Sequence, residues 1–190
     1  MAREMIRQGG RSARIQKEVH AATRALLEEV GRGALTVPMI AERAGVTPST
    51  VYRRWGDLGQ LLADVAVERL RPIADPDDTG STAGDLEAYV LEYAEEMSSK
   101  VGRAVLRDVL AEAADDVAAV KCCRFTYGHL GVIAARAAAR GETPPNVPEI
   151  IDTVISPIVY HILFRDRDVT PEYCRELLAK LPPPERRAAA

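Results

Sequence analysis

Residues 36–55 read TVPMIAERAGVTPSTVYRRW, and their punctuation predicts two short helices joined by a tight turn. Thr36 stands where a side-chain hydroxyl can accept from the free N–H groups that open a helix. Pro38 falls in the first turn, where a missing N–H is not needed. Ile40 and Ala44 lie four apart and give that helix one apolar face, and Gly45 supplies the left-handed or crowded backbone that ends it. Thr47 and Pro48 repeat the opening signal. Val51 and Trp55, again four apart, form an inward stripe over Val46, which leaves Ser49, Thr50, Tyr52, Arg53 and Arg54 pointing outward. A helix-turn-helix requires this arrangement, because its second helix enters the major groove with its N-terminal end toward the bases. Two capped helices around a glycine turn also occur in all-α proteins that never touch DNA, and the pattern alone leaves both readings open.

Outward from this stretch the chain keeps a helical period. Ile15, Val19, Ala22, Leu26 and Val30 make one apolar stripe, predicting a first helix from near Ser12 to Val30 that Gly31 and Gly33 close. Before it, residues 1–13 are basic, with Arg3, Arg7 and Arg11. They are either an arm that reaches along a DNA groove or a terminus of no consequence. Asp57 caps a helix over 57–71 carrying Leu58, Leu61, Leu62, Val65 and Leu70. The clearest break is PIADPDDTGSTAG, residues 72–84, which has no apolar period and reads as a loop at a domain border. Helices are expected at about 85–99, 102–114 and 116–140, the last apolar on two sides and therefore central. Residues 147–164 hold many Val and Ile, but Ile151, Val154, Ile155, Ile158 and Ile162 recur at helical steps, and Asn146 is the expected cap. Pro157 should kink this helix. Thr170 and Pro171 open a last helix to about Leu181.

The stretch from Arg14 to Leu70 resembles the DNA-binding domain of the TetR family of transcriptional regulators. The resemblance is carried by IQKEVHAATRALLEEVG, then LTVPMIAERAGVTPSTVYRRW, then DLGQLLADVAVERL. It covers about a third of the chain and weakens after residue 71. It implies an all-α fold of about nine helices: a three-helix helix-turn-helix head over 1–71 and a helical ligand-binding and dimerisation body over 72–190. Carried onto this sequence, the motif implies that Thr36 and Thr47 meet phosphates at helix N-termini and that Pro48 and Ser49 face base edges. Thr50 and Tyr52 would hold the backbone, Arg53 would pair with a guanine edge, and Arg54 would take a phosphate or an acidic neighbour. Family members often place Lys where this chain has Leu58, so one phosphate contact is missing, and Arg11 or Arg14 is the candidate substitute. The same resemblance implies a homodimeric repressor that binds double-stranded DNA at a palindromic operator and is released by a small effector.

Bulk properties agree with this without requiring it. Net charge is −3, yet residues 1–60 hold ten Lys/Arg against six Asp/Glu, leaving the remainder acidic. No stretch approaches the roughly 20 apolar residues of a membrane span, and the N-terminus has no run suited to secretion, so the cytoplasm is expected. Cys122, Cys123 and Cys174 read as reduced thiols without metal-like spacing, although the adjacent pair leaves oxidant sensing open. The three histidines, His20, His129 and His161, lie in separate segments, so neither a catalytic constellation nor a metal or cofactor site is expected. An effector-independent activator remains an alternative, with an all-α enzyme as the more distant one.

In the body, Tyr89, Tyr93 and Met97 share a helix face, and Phe125, His129, Tyr160 and His161 are candidates to join them around an apolar pocket. A packed core is the plainer alternative. Ile150, Val154, Ile158 and Leu163 are expected to face a second copy of the chain, as too much apolar surface for a monomer to expose.

Overall fold

The computed structural model describes residues 5–111, 117–165 and 167–182; the side chains of residues 5–9 and 11 lie outside that description. The expected contact by Arg11 therefore falls outside it, as do the helix ends placed near 114 and 116 and most of the tail. Among the described residues there are nine helices and no strand. They are α1 (Met5–Val30), α2 (Val37–Arg43), α3 (Pro48–Trp55), α4 (Leu58–Arg69), α5 (Thr82–Ser98), α6 (Lys100–Ala111), α7 (Val117–Ala139), α8 (Val147–Phe164) and α9 (Pro171–Leu178). A short 3-10 turn, Arg32–Ala34, lies between α1 and α2.

Most boundaries follow from local chemistry. Side-chain caps at Thr36, Asp57, Ser81, Asn146 and Thr170 accept from backbone N–H groups of the following turn. Ser81 starts α5 earlier than its apolar period suggested. The first helix also begins earlier, at Met5 rather than near Ser12, so the described part of the basic N-terminal stretch continues α1. In α8 the backbone widens into π-type bonding over Ile151–Ile155, with Ser156 N–H reaching the carbonyl of Ile151. Pro157 follows at once; a π turn relieves the contact between a proline ring and the preceding turn.

Three apolar clusters organise the helices. One joins α1 to α4 around Val19, Leu26, Ile40, Val51, Trp55 and Leu61. A second joins α5, α7, α8 and α9 around Val90, Leu130, Ile133, Ile158 and Leu177. A third lies between them, where Ala66 and Val67 of α4 meet Val105 and Val109 of α6, with Cys122 and Phe125 of α7 against them. The 3-10 turn adds an ion pair from Arg32 to Asp108 of α6.

One expectation is corrected by this core. Ile150, Val154 and Ile158 do not face outward: they are fully buried within the chain's own core, and Leu163 is half-buried against it. Their helical period showed that the stripe is covered, and periodicity carries no information about which chain covers it. The outward side of α8 carries Tyr160 and Phe164 instead, 53% and 68% exposed. By length and composition α8 could also cross a membrane, but its apolar stripe is occupied by α5, α7 and α9.

The loop before α5 is held more firmly than its composition implied. Asp85, fully buried, accepts from the Thr79 N–H and hydroxyl, both at 2.7 Å, and from Arg140, just past the end of α7, at 2.8 Å. Arg140 also reaches Asp78 and Glu142, and Arg136 donates to the Pro76 carbonyl at 2.6 Å. Burial opposes the Asp85 charge, but the bonds from Arg140 and Thr79 prevail and hold its carboxyl below the usual range.

The α5–α6 corner depends on close backbone approach at Gly102. A Cβ there would run into the Glu96 carbonyl and come within 2.7 Å of the Met97 Cα. Helix propensity favours alanine over glycine by about 1 kcal/mol, and backbone overlap should outweigh it. Gly102→Ala is expected to lower stability by about 1–3 kcal/mol in urea unfolding. Gly128→Ala on α7, where a Cβ meets nothing within 4 Å, should be neutral or stabilising.

Candidate nucleic-acid interface and body cleft

The turn between α2 and α3 forms because Gly45 adopts φ +66°. Its N–H donates to the Glu42 carbonyl at 3.1 Å, and the Val46 N–H to the Ala41 carbonyl at 2.9 Å. These paired bonds satisfy the last carbonyls of α2 and swing the chain sharply into α3. Val51 and Trp55 are buried on one side of α3, while Pro48, Ser49, Tyr52, Arg53 and Arg54 are exposed on the other and Thr50 is half-buried.

Each sequence-assigned side chain has a definite setting. Thr36 is exposed and caps α2 through a 3.4 Å bond from the Met39 N–H. Thr47 stands at the N-cap of α3, but its hydroxyl pairs with the hydroxyls of Ser49 and Thr50, at 2.9 and 3.0 Å, rather than with a backbone N–H. The N-terminal N–H groups of α3 are thus not capped by it. Tyr52 and Arg53 project freely. Arg14 is exposed and pairs with Glu18 one turn on, at 3.1 Å. Arg54 departs from its assignment: its guanidinium donates to the Ser12 carbonyl and hydroxyl and to Gln16 Oε1, at 2.8–3.0 Å. It braces α3 against α1, and this leaves few of its donors for a phosphate. Leu58 packs against the head core.

One constellation was missed by the sequence reading. Asp64 of α4 accepts from Trp55 Nε1 at 2.9 Å, from Gln16 Nε2 at 3.3 Å and bonds His20 Nε2 at 3.0 Å. Lys121 of α7 stands 3.9 Å away. Burial raises the Asp64 pKa, but the bonds from His20 and Trp55 and the charges of His20 and Lys121 outweigh it and bring it to about 2. No sequence signal short of the fold joins Gln16, His20, Trp55, Asp64 and Lys121.

In the body, a small cleft of about 100 Å³, partly open to solvent, brings together Tyr89, Tyr93, Met97, Phe125 and His129. The Tyr89 ring stacks edge-on against His129 at 5.5 Å. Leu70, Pro72, Cys122, Thr126, Glu92 and Glu96 complete the lining and were not anticipated. Tyr160 and His161 are corrected: they lie outside this cleft, Tyr160 against Phe164 at 4.7 Å and His161 against Tyr173 of α9 at 5.4 Å. The side of α8 that is buried in the core carries Val154, Ile158 and Ile162, and Tyr160 and His161 lie on its other sides. Among the described residues no group of His, Cys, Asp or Glu is arranged to hold a metal.

Residues 20–65 match the profile of bacterial regulatory proteins of the tetR family, and residues 76–181 match that of the tetracyclin repressor-like C-terminal domain. The chain belongs to the TetR family. Among relatives of this regulator, the HTH-type transcriptional regulator YdeS of Bacillus subtilis (strain 168) is 26% identical over 169 residues, 85% of each chain. The HTH-type transcriptional regulator AqdR of Rhodococcus erythropolis is 32% identical over 103 residues, 54% of this chain and 50% of that one. A TetR-family regulator structure from Streptomyces coelicolor matches with TM-score 0.53 at 18% identity, covering 88% of this chain and 99% of that one. One from Marinobacter aquaeolei VT8 gives 0.50 at 17%, covering 90% and 94%. These structures share its fold. The protein is a TetR-family helix-turn-helix transcriptional regulator and not an enzyme.

The Asp64 carboxyl titrates lower in the folded chain than unfolded, so its contribution to stability is full above about pH 4 and is lost as pH falls toward 2. Asp64→Asn should therefore be destabilised relative to wild type at neutral pH. In urea unfolding the gap should narrow between about pH 4 and pH 2, and a gap that does not change with pH would remove the assignment.

Proposed function

We propose that this regulator is a homodimeric, cytoplasmic repressor that binds a palindromic operator and is released by a small effector with a largely apolar body. Residues 1–71 act as the DNA head and 72–190 as the ligand-binding and dimerisation body. In the head, Pro48 and Ser49 meet base edges and Arg53 pairs with guanine. Thr36, Thr47, Thr50, Tyr52 and Arg14 hold phosphates. The exposure of Ser49 and Arg53 opposite the buried Val51 and Trp55 supports these roles. One head offers few contacts, and two-fold pairing doubles them over half-sites about one helical turn apart.

Release is supported by one observation above the others: α4 runs from the Asp57 cap beside Trp55 to Leu70, which lines the cleft. A molecule that displaces Leu70 or Phe125 acts on the same helix whose Asp64 holds Trp55. Through that helix it can change the spacing of paired heads. Dimerisation is supported by the exposed Tyr160 and Phe164 on α8, a continuous aromatic pair that a second copy would cover.

Protection of the DNA upstream of the chain's own coding sequence tests this reading. Two-fold symmetric protection, lost on adding a small molecule, supports it; protection of a single asymmetric half-site, or none, overturns it. Arg53→Ala should relax base preference at one position per half-site by about 1–3 kcal/mol in a binding-site selection, with other positions unchanged.

A further inference from the structure

We propose that the cleft between α5 and α7 takes an organic cation: an apolar or aromatic body bearing one positive charge, such as a protonated or quaternary amine. This rests on reading the cleft as the effector site and adds a charge to that reading. Tyr89, Tyr93 and Phe125 supply aromatic walls, the two tyrosine rings 6.1 Å apart and inclined by 37°. Aromatic faces attract cations through their quadrupole, most strongly where water is displaced.

Glu92 and Glu96 stand on the same face of α5 as the tyrosines, at three- and four-residue spacing, and both line the cleft. Among the described residues neither carboxylate has a hydrogen-bond or ion-pair partner. No Lys or Arg lines the cleft to neutralise them. Both remain wetted at its mouth, so they attract a positive charge without the cost of holding a buried one. Burial first, and then the charges of Cys122, Glu92 and Glu96, push the Tyr89 hydroxyl up to about 12, against the opposing bond from Thr126. His129 adds a polar tip: its Nε2 is buried and has no hydrogen-bond partner among the described residues. An anion would face two carboxylates and no cation. A neutral ligand would gain only the apolar walls.

The full chain can be titrated with phenyltrimethylammonium and, separately, with its uncharged carbon isostere tert-butylbenzene, with binding followed by chemical-shift change. The cation should bind about tenfold more tightly, and Glu92→Gln with Glu96→Gln should reduce that preference severalfold, to what the aromatic walls alone supply, while leaving the isostere's affinity unchanged. Equal or tighter binding of the isostere overturns the cation proposal and leaves the effector cleft standing. Undiminished cation preference in the Gln variant overturns the role given to the carboxylates. Failure of both probes to bind overturns the proposal together with the cleft itself as a ligand site. A folded spectrum of the Gln variant, with unchanged DNA binding, separates these outcomes from misfolding.

Discussion

The bond from the Trp55 indole to the Asp64 carboxylate, 2.9 Å long, fixes which way α3 faces. Trp55 is the last residue of that helix, and its ring must leave water to close the head core. An indole N–H buried without an acceptor would cost about 1–3 kcal/mol, and Asp64 removes that cost. Because the carboxylate also bonds His20 and Gln16 of α1, one side chain ties α1, α3 and α4 together. With Trp55 inward, helical geometry leaves Ser49 and Arg53 no direction but outward. The polar side of α3 is therefore a consequence of how its apolar side is anchored.

The same helix that supplies Asp64 continues into the body. Ala66 and Val67 meet α6 and α7 through small side chains that allow close approach, and Phe125 and Cys122 share both this contact and the cleft. Lys121 adds a charge from α7 toward Asp64 itself. Head core and cleft are thus joined by one continuous helix, α4, whose C-cap Leu70 lines the cleft. At the other side of the body, Arg140 and the buried Asp85 fasten the loop before α5 to the end of α7. That fixes α5, and with it the face bearing Tyr89, Tyr93, Glu92 and Glu96.

Much of this was legible before any coordinates. Caps at Thr36, Asp57, Asn146 and Thr170 are local signals, because the acceptor and its N–H partner lie within one turn of each other. The inward placement of Val51 and Trp55 followed from spacing alone. Tyr89, Tyr93 and Met97 were grouped by the period of one helix, and Phe125 and His129 by the period of another. Tyr160 and His161 were misplaced because they fall on sides of α8 away from the buried stripe of Val154, Ile158 and Ile162, and the period of one helix does not say which neighbour each side meets. The burial of Ile150, Val154 and Ile158 inside one chain was not legible either, since hydrophobic burial is non-directional and an apolar stripe does not name its partner.

The sequence by itself determined the order of the helices, the caps at Thr36, Asp57, Asn146 and Thr170, the turn at Gly45 and the polarity of α3, because each depends on residues within a few positions of one another. The tertiary structure alone decided that Asp64 anchors Trp55, that Arg54 is spent on α1, and that two carboxylates share a cleft with three aromatic rings. Those contacts join residues up to tens of positions apart, and only packing brings them within reach of a hydrogen bond or a shared electrostatic field.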